Sequence, residues 1–133
     1  MRHSSTFLCS AALLAASCAL AACASTDYHY SQLSGYRYFR TPIDTYPVSI
    51  IRVDGKDNVF KPALVDPGLR QVTVQGPPGG AGGIGEQRTL ALEVAPCTRY
   101  YLVAVKANKL DSDFNVRIDY QEPVPGCTPS SSS

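Results

Sequence analysis

The chain predicts an all-β domain, a small antiparallel β-sandwich or open barrel of five to seven strands. Three observations carry this. From residue 48 onward, short stretches that are rich in β-branched residues, or that alternate polar with apolar, recur along the chain. Clusters of Gly, Pro, Asp and Asn separate them, and all ten Gly and all ten Pro lie after residue 22. No stretch beyond residue 22 repeats apolar residues with a 3.6-residue period, so nothing there reads as an amphipathic helix.

The first 22 residues stand apart. Arg2 and the amino terminus make a short positive start, and Phe7 to Ala22 runs without a charge. Sixteen mostly small residues are too few for a comfortable membrane span, which wants about 20. The pattern is that of a secretory signal, residues 1–22, cut off in the mature chain. Leu20-Ala21-Ala22-Cys23 resembles the lipobox of bacterial lipoproteins. The resemblance implies that Cys23 takes a lipid on its thiol, becomes the first residue and is acylated on its new amino group. Two or three acyl chains anchor far more firmly than one, because each buried methylene contributes about 0.8 kcal/mol. Ala24, rather than Asp, follows the cysteine, which by the sorting rules of such lipoproteins favours the outer membrane, facing the periplasm or the cell surface. The competing reading is plain secretion, with cleavage after Ala19-Leu20-Ala21.

Residues 23–47 read as a lipidated start and an irregular tether, with Tyr28, Tyr30, Tyr36, Tyr38, Phe39 and Tyr46 scattered among polar residues. Their rings can pack on the domain while the hydroxyls stay wet. The β domain is expected over 48–127. Val48–Val53 is a β-branched strand, closed by Asp54-Gly55 and the turn cluster Lys56-Asp57-Asn58. Val59-Phe60 resumes a strand before Pro62, and Asp66-Pro67-Gly68 turns again. Val72 and Val74 share one face of the next strand, and Leu90, Leu92 and Val94 share one face of another. Tyr100 to Val105 is nearly all apolar, the pattern of a central strand covered on both sides. Phe114, Val116, Ile118 and Tyr120 alternate with polar residues, the clearest half-buried strand of the chain. The tail 128–133 is expected to be disordered.

The chain has five cysteines. By the lipobox resemblance Cys9 and Cys18 would leave with the signal and Cys23 would take lipid, which would leave Cys97 and Cys127 in the mature chain. A hairpin centred near Leu110 pairs residue 99 with about 121 and brings the two open ends together. Cys127 lies past the ideal register, so Pro123 to Gly126 must curl back. In the oxidising periplasm the two thiols are expected to form a disulfide. Free thiols serving redox or metal chemistry are the alternative, with no C-x-x-C spacing behind them.

Other constellations are weaker. Gly80 to Gly85 fits G-x-G-x-x-G, but a strand rather than a helix follows, so a hairpin loop is expected instead of a dinucleotide site. Asp111-Ser112-Asp113-Phe114-Asn115 echoes the start of a calcium loop, yet Val116 stands where that loop requires glycine. His29 is the one histidine after residue 22, which leaves no Ser-His-Asp or Cys-His set. The acidic pairs Asp54 with Asp57 and Asp111 with Asp113 sit in turns. Twelve basic residues against 11 acidic give no electrostatic footprint for nucleic acid. No cofactor, metal or catalytic set is expected.

Val53-Asp54-Gly55, then Asp66-Pro67-Gly68 before Val72-Thr73-Val74, then Pro96 to Leu102, resemble small periplasmic β-sandwich domains. These are the family named for its Pro-Glu-Gly-Ala motif and related uncharacterised lipoproteins. The naming motif is absent here, and Cys97 stands where the last turn glycine of that family would be. The resemblance spans about residues 48–105 and implies an envelope module with no catalytic residues to carry over. The expected function is therefore a non-enzymatic, membrane-anchored lipoprotein that contacts another envelope protein. A glycan- or peptidoglycan-binding module, using the tether tyrosines and Tyr100 or Tyr101, is the alternative.

Overall fold

A computed structural model describes residues 28–130. The signal segment and Cys23 fall in residues 1–27, outside the described residues, as do residues 131–133. The described chain holds nine strands and no helix, arranged as two packed sheets. The first sheet contains β1 (Ser31–Ser34), β2 (Thr45–Pro47), β5 (Ala63–Val65), β8 (Thr98–Val105) and β9 (Asn115–Pro123). The second runs in the order β4 (Lys56–Asp57), β3 (Ser49–Val53), β6 (Gly68–Gln75) and β7 (Gln87–Val94). The all-β sandwich expected from the sequence is the fold.

The two long hairpins give each sheet its frame. β6 pairs antiparallel with β7 from Gly68↔Val94 to Gln75↔Gln87 without a slip. Val72, Val74, Leu92 and Val94 thereby face inward together and are buried. β8 pairs with β9 along its whole length, and Tyr100, Leu102 and Ala104 point into the same core. Leu33 and Leu102 are completely buried, and each contributes about 1.5–3 kcal/mol relative to exposure. The Asp54-Gly55 turn has positive φ at both residues (51° and 77°), the geometry of a tight two-residue hairpin loop. Asp54 closes it, its carboxylate accepting from the Gln71 N–H at 2.9 Å and from Arg70 Nη1 at 3.1 Å.

Those two donors, Gln71 first, hold the Asp54 carboxyl below its ordinary value, and Arg88 does the same for Asp113. A depressed folded pKa contributes stability that is complete above the unfolded value, about 3.9. That stability fades as pH falls through the folded value. The acid limb of unfolding should therefore flatten in Asp54→Asn. Urea midpoints at pH 6 and pH 2.5 check this: the drop between them is expected to be smaller in the variant than in the native chain.

The structure departs from the sequence reading in several places, beginning with nine strands among the described residues where five to seven were expected. The tether 23–47 is not irregular throughout, because Ser31–Ser34 and Thr45–Pro47 are strands of the first sheet. Both lie on the edge of β8 opposite β9: β1 pairs with Arg99–Tyr101 and β2 with Val103–Val105. The β1–β8 pairing is parallel, so the first sheet is mixed rather than wholly antiparallel. Val59-Phe60 is not a strand; both side chains stand out in solvent, and the chain re-enters a sheet at Ala63. Lys56-Asp57, read as a turn, forms the two-residue edge β4.

The Cys97–Cys127 disulfide is present, with Cα atoms 5.6 Å apart. The curl-back between the hairpin and Cys127 is made by Val124 N donating to Cys97 O at 2.9 Å and Cys127 N donating to Val124 O at 3.3 Å. Thr128 N then donates to Tyr28 O at 2.8 Å, so the described chain begins and ends at one pole of the sandwich. Thr128 to Ser130 carry no regular structure and are exposed.

Candidate functional site

Because β1 and β2 share one edge of β8, residues 35–44 between them must bulge away from that edge. They form a strap over the outer face of the first sheet, and Asp119 fastens it. The β8–β9 register shifts between Tyr101 and Leu102, leaving Asp119 as the extra residue of a bulge. Its side chain is only 3% exposed. One carboxylate oxygen accepts from both Tyr38 N and Phe39 N, each at 3.0 Å. Tyr38 stacks on Tyr120 at 3.9 Å between centroids and 16° between planes, with Phe39 edge-on to both rings. Tyr120 and Glu122 beside Tyr38 push its phenol pKa up, with Tyr120 the larger influence. Removing the carboxylate in Asp119→Ala leaves two strap N–H groups without their acceptor. Deuterium uptake over 36–43 is then expected to rise at least tenfold in rate while uptake over β6 and β7 stays unchanged.

A polar chain continues across the same face. Tyr101 Oη donates to Glu122 Oε1 at 2.8 Å, and Arg99 Nη1 donates to the same oxygen at 3.2 Å. Arg99 Nε donates to Gln32 at 2.6 Å, and Gln32 Nε2 donates to the Tyr28 hydroxyl at 2.7 Å. These bonds fix β1 to β8 from outside the core.

At the edge of this face, where the two sheets part between β1 and β3, lies a groove of about 340 Å³. Leu33, Val48 and Ile50 form its floor. Tyr36 and Phe60 stand on its rim, 64% and 65% exposed. Four prolines, Pro47, Pro62, Pro77 and Pro78, complete much of the wall. Asn58 builds the rim under Phe60: its Nδ2 donates to Ile50 O at 3.1 Å and to Phe60 O at 2.9 Å. Its Oδ1 accepts from Phe60 N at 3.3 Å. A short polar side chain that mimics a turn in this way locks the loop with the phenyl ring outward.

Lys106 fixes the opposite wall. It is 3% exposed, and its ammonium donates to Pro78 O at 3.3 Å and to Asp111 O at 2.7 Å, with the Tyr46 ring 5.5 Å away. Both walls are therefore held by side-chain to backbone bonds rather than by strand pairing. A second cleft of about 280 Å³ adjoins the groove, sharing Ser34, Tyr36, Lys61 and Pro62 with it and adding Arg99 and Tyr101.

The groove lies away from the pole where the described chain begins. β1 starts beside Ala95 and Thr98, to which Ser31 is hydrogen-bonded, and reaches the groove at Ser34. The Pro78 wall meets Lys106, just past the far end of β8, about 25 Å from Thr98 at ~3.3 Å per residue.

The candidate residues named from sequence fall as follows. Cys97 and Cys127 are joined, and Cys23 lies outside the described residues. Tyr100 is 4% exposed and its hydroxyl accepts from Ala95 N, so it cannot serve as a glycan platform. Tyr38 and Tyr120 spend a face on each other. Asp113 pairs with Arg88, and Ser112 donates to Glu86, so the calcium-like segment is engaged by β7 and the loop before it. Among the described residues no three His, Cys, Asp or Glu side chains group as metal ligands. The glycine loop joins β6 to β7 as a hairpin connection, with positive φ at Gly82 and Gly83. His29 lies 3.7 Å from Asp66 and against the Tyr30 ring.

Sequence reading did not single out the groove. The one local signal is Phe60 and Lys61 directly before Pro62, an aromatic and a cation that a proline keeps out of a central strand. No family model, curated protein or solved structure matches the chain.

Proposed function

We propose that the chain is a non-enzymatic lipoprotein of the bacterial outer membrane, anchored by acyl chains on Cys23, whose sandwich holds another envelope protein. The observation that carries this reading is the groove: an apolar concavity with exposed aromatic residues on its rim, set in a disulfide-stapled frame. Rings exposed beside a preformed apolar floor are the usual anchors of protein contacts. The lipobox Leu20-Ala21-Ala22-Cys23 supports the anchor. From Cys23 to Tyr28, where the described chain begins, five residues reach at most about 17 Å. The groove then opens away from the lipid surface, where a partner can approach.

Two measurements test it. Radiolabelled palmitate should appear on the native protein and vanish in Cys23→Ala; label that persists in the variant removes the anchor. A photo-crosslinking residue placed at Phe60 in intact cells should trap one polypeptide, while the same residue at Leu69, exposed on another face, should not. Trapping on purified sacculi in place of a protein would move the assignment to a peptidoglycan-binding module.

A further inference from the structure

We infer that the groove takes an extended peptide segment of its partner in which a bulky apolar side chain lies next to an aspartate or glutamate. The inference rests on the protein-binding reading above and adds the chemistry of the occupant. Three features of the groove lead to it.

Its charge is one-sided. Lys61 is the only charged residue on the larger groove, and the adjoining cleft adds only Arg99. Arg99 already faces Glu122 at 3.2 Å. Among the described residues no carboxylate lies within ion-pair distance of Lys61. The groove thus presents an exposed cation with no counter-charge among the described residues, beside an apolar floor. A carboxylate on the ligand completes the pair, and a basic ligand is repelled.

Part of its wall is rich in proline. Proline contributes a carbonyl and no N–H; Pro78 O already accepts from Lys106, which leaves Pro47, Pro62 and Pro77 on the wall beside the polar side chains of Ser34, Ser49 and Gln75. An extended peptide can offer N–H groups to the remaining proline carbonyls while it lays an apolar side chain on the floor. The floor of Leu33, Val48 and Ile50 offers no polar side chain, and it suits an aliphatic or phenyl group.

The site is held in shape before a ligand arrives. Asn58 fixes the Phe60 wall and Lys106 fixes the Pro78 wall, each through two side-chain to backbone donations. A preformed groove spends less of the interaction energy on ordering itself.

The experiment is selection of random twelve-residue displayed peptides on immobilised protein comprising residues 24–133. The peptides recovered are then synthesised with amidated C-termini and their affinities measured. Expected is a consensus that places Leu, Ile, Val or Phe within two residues of Asp or Glu. Lys61→Glu should weaken binding of these peptides at least fivefold, and Phe60→Ser should weaken it at least tenfold. Both positions are exposed, and an unchanged melting temperature confirms that the fold is intact. Replacing the peptide carboxylate by its amide should remove the difference between native protein and Lys61→Glu. A basic or uncharged consensus, or affinity indifferent to Lys61→Glu, overturns the inference. So does preferential binding of anionic peptidoglycan fragments. The crosslink from Phe60 separates the two levels: a trapped protein with no acidic consensus sinks the ligand chemistry and leaves the protein-binding role. Absence of both sinks the role itself.

Discussion

A Cys97→Ala/Cys127→Ala double variant is expected to melt about 15–25 °C below the native protein. The bridge closes a loop with a sequence separation of 30. By the chain-entropy account, cross-linking a loop of that size contributes about 3–4 kcal/mol. In a domain of roughly 100 residues each kcal/mol moves the midpoint by about 4–8 °C. The local geometry adds to this. Cys97 has φ 49°, a left-handed conformation that a side chain rarely takes unless its surroundings enforce it. The bridge, together with the Val124 N–H on Cys97 O, enforces it here. The double variant avoids leaving a lone thiol, and calorimetry of both proteins under non-reducing conditions decides the matter. A shift under about 5 °C would mean that the β8–β9 pairing alone holds the pole together.

The second large effect is expected at Gly35. A Cβ built there would lie 1.8 Å from the Val48 carbonyl oxygen and 2.8 Å from its carbon. Those are backbone atoms, and Val48 N in turn donates to Gly35 O at 2.8 Å. Neither segment can step aside without breaking that bond and lifting Leu33 or Val48 from the core. Gly35→Ala should cost about 3 kcal/mol or more, at the upper end of overpacking effects. Urea unfolding of purified Gly35→Ala checks the size; a loss under 1 kcal/mol would show that the β1–β3 contact is looser than its geometry. Gly35 and Val48 also line the groove. Ligand affinity should therefore fall in this variant under conditions where the variant is still folded.

The strands that the sequence made legible are those whose pattern is local. β7 and β9 alternate along their own length, and β6 does so from Gln71. β1 and β2 are different. Ser31-Gln32-Leu33-Ser34 has a single apolar residue, and its strand conformation comes from β5 and β8, which lie 30 and more residues away. Thr45-Tyr46-Pro47 ends in a residue that argues against a strand, yet it completes the edge of β8 that β1 leaves open. The disulfide was legible because hairpin register is arithmetic. That arithmetic places 99 opposite 121, and the observed partner is Glu122. The offset of one residue is the bulge at Asp119, whose carboxylate holds the strap, a segment remote in sequence. The groove was hidden for a related reason. Phe60 and Tyr36 carry the same composition signal whether buried or exposed, and only the position of Asn58 and of the strap decides which they are.

One consequence concerns force. β1 follows directly on the point where the described chain begins, and it runs parallel to β8 and antiparallel to β5. A pull on the chain at Tyr28, with the far end of β8 held, would draw β1 along its own axis. The hydrogen bonds on both sides of β1 lie across that direction, so they bear the load together instead of opening one at a time. Ser31 adds side-chain bonds to Ala95 O and Thr98 N at 2.6 Å and 3.0 Å, at the end where tension enters. The short strand that composition concealed is in this sense the mechanical clamp of the domain.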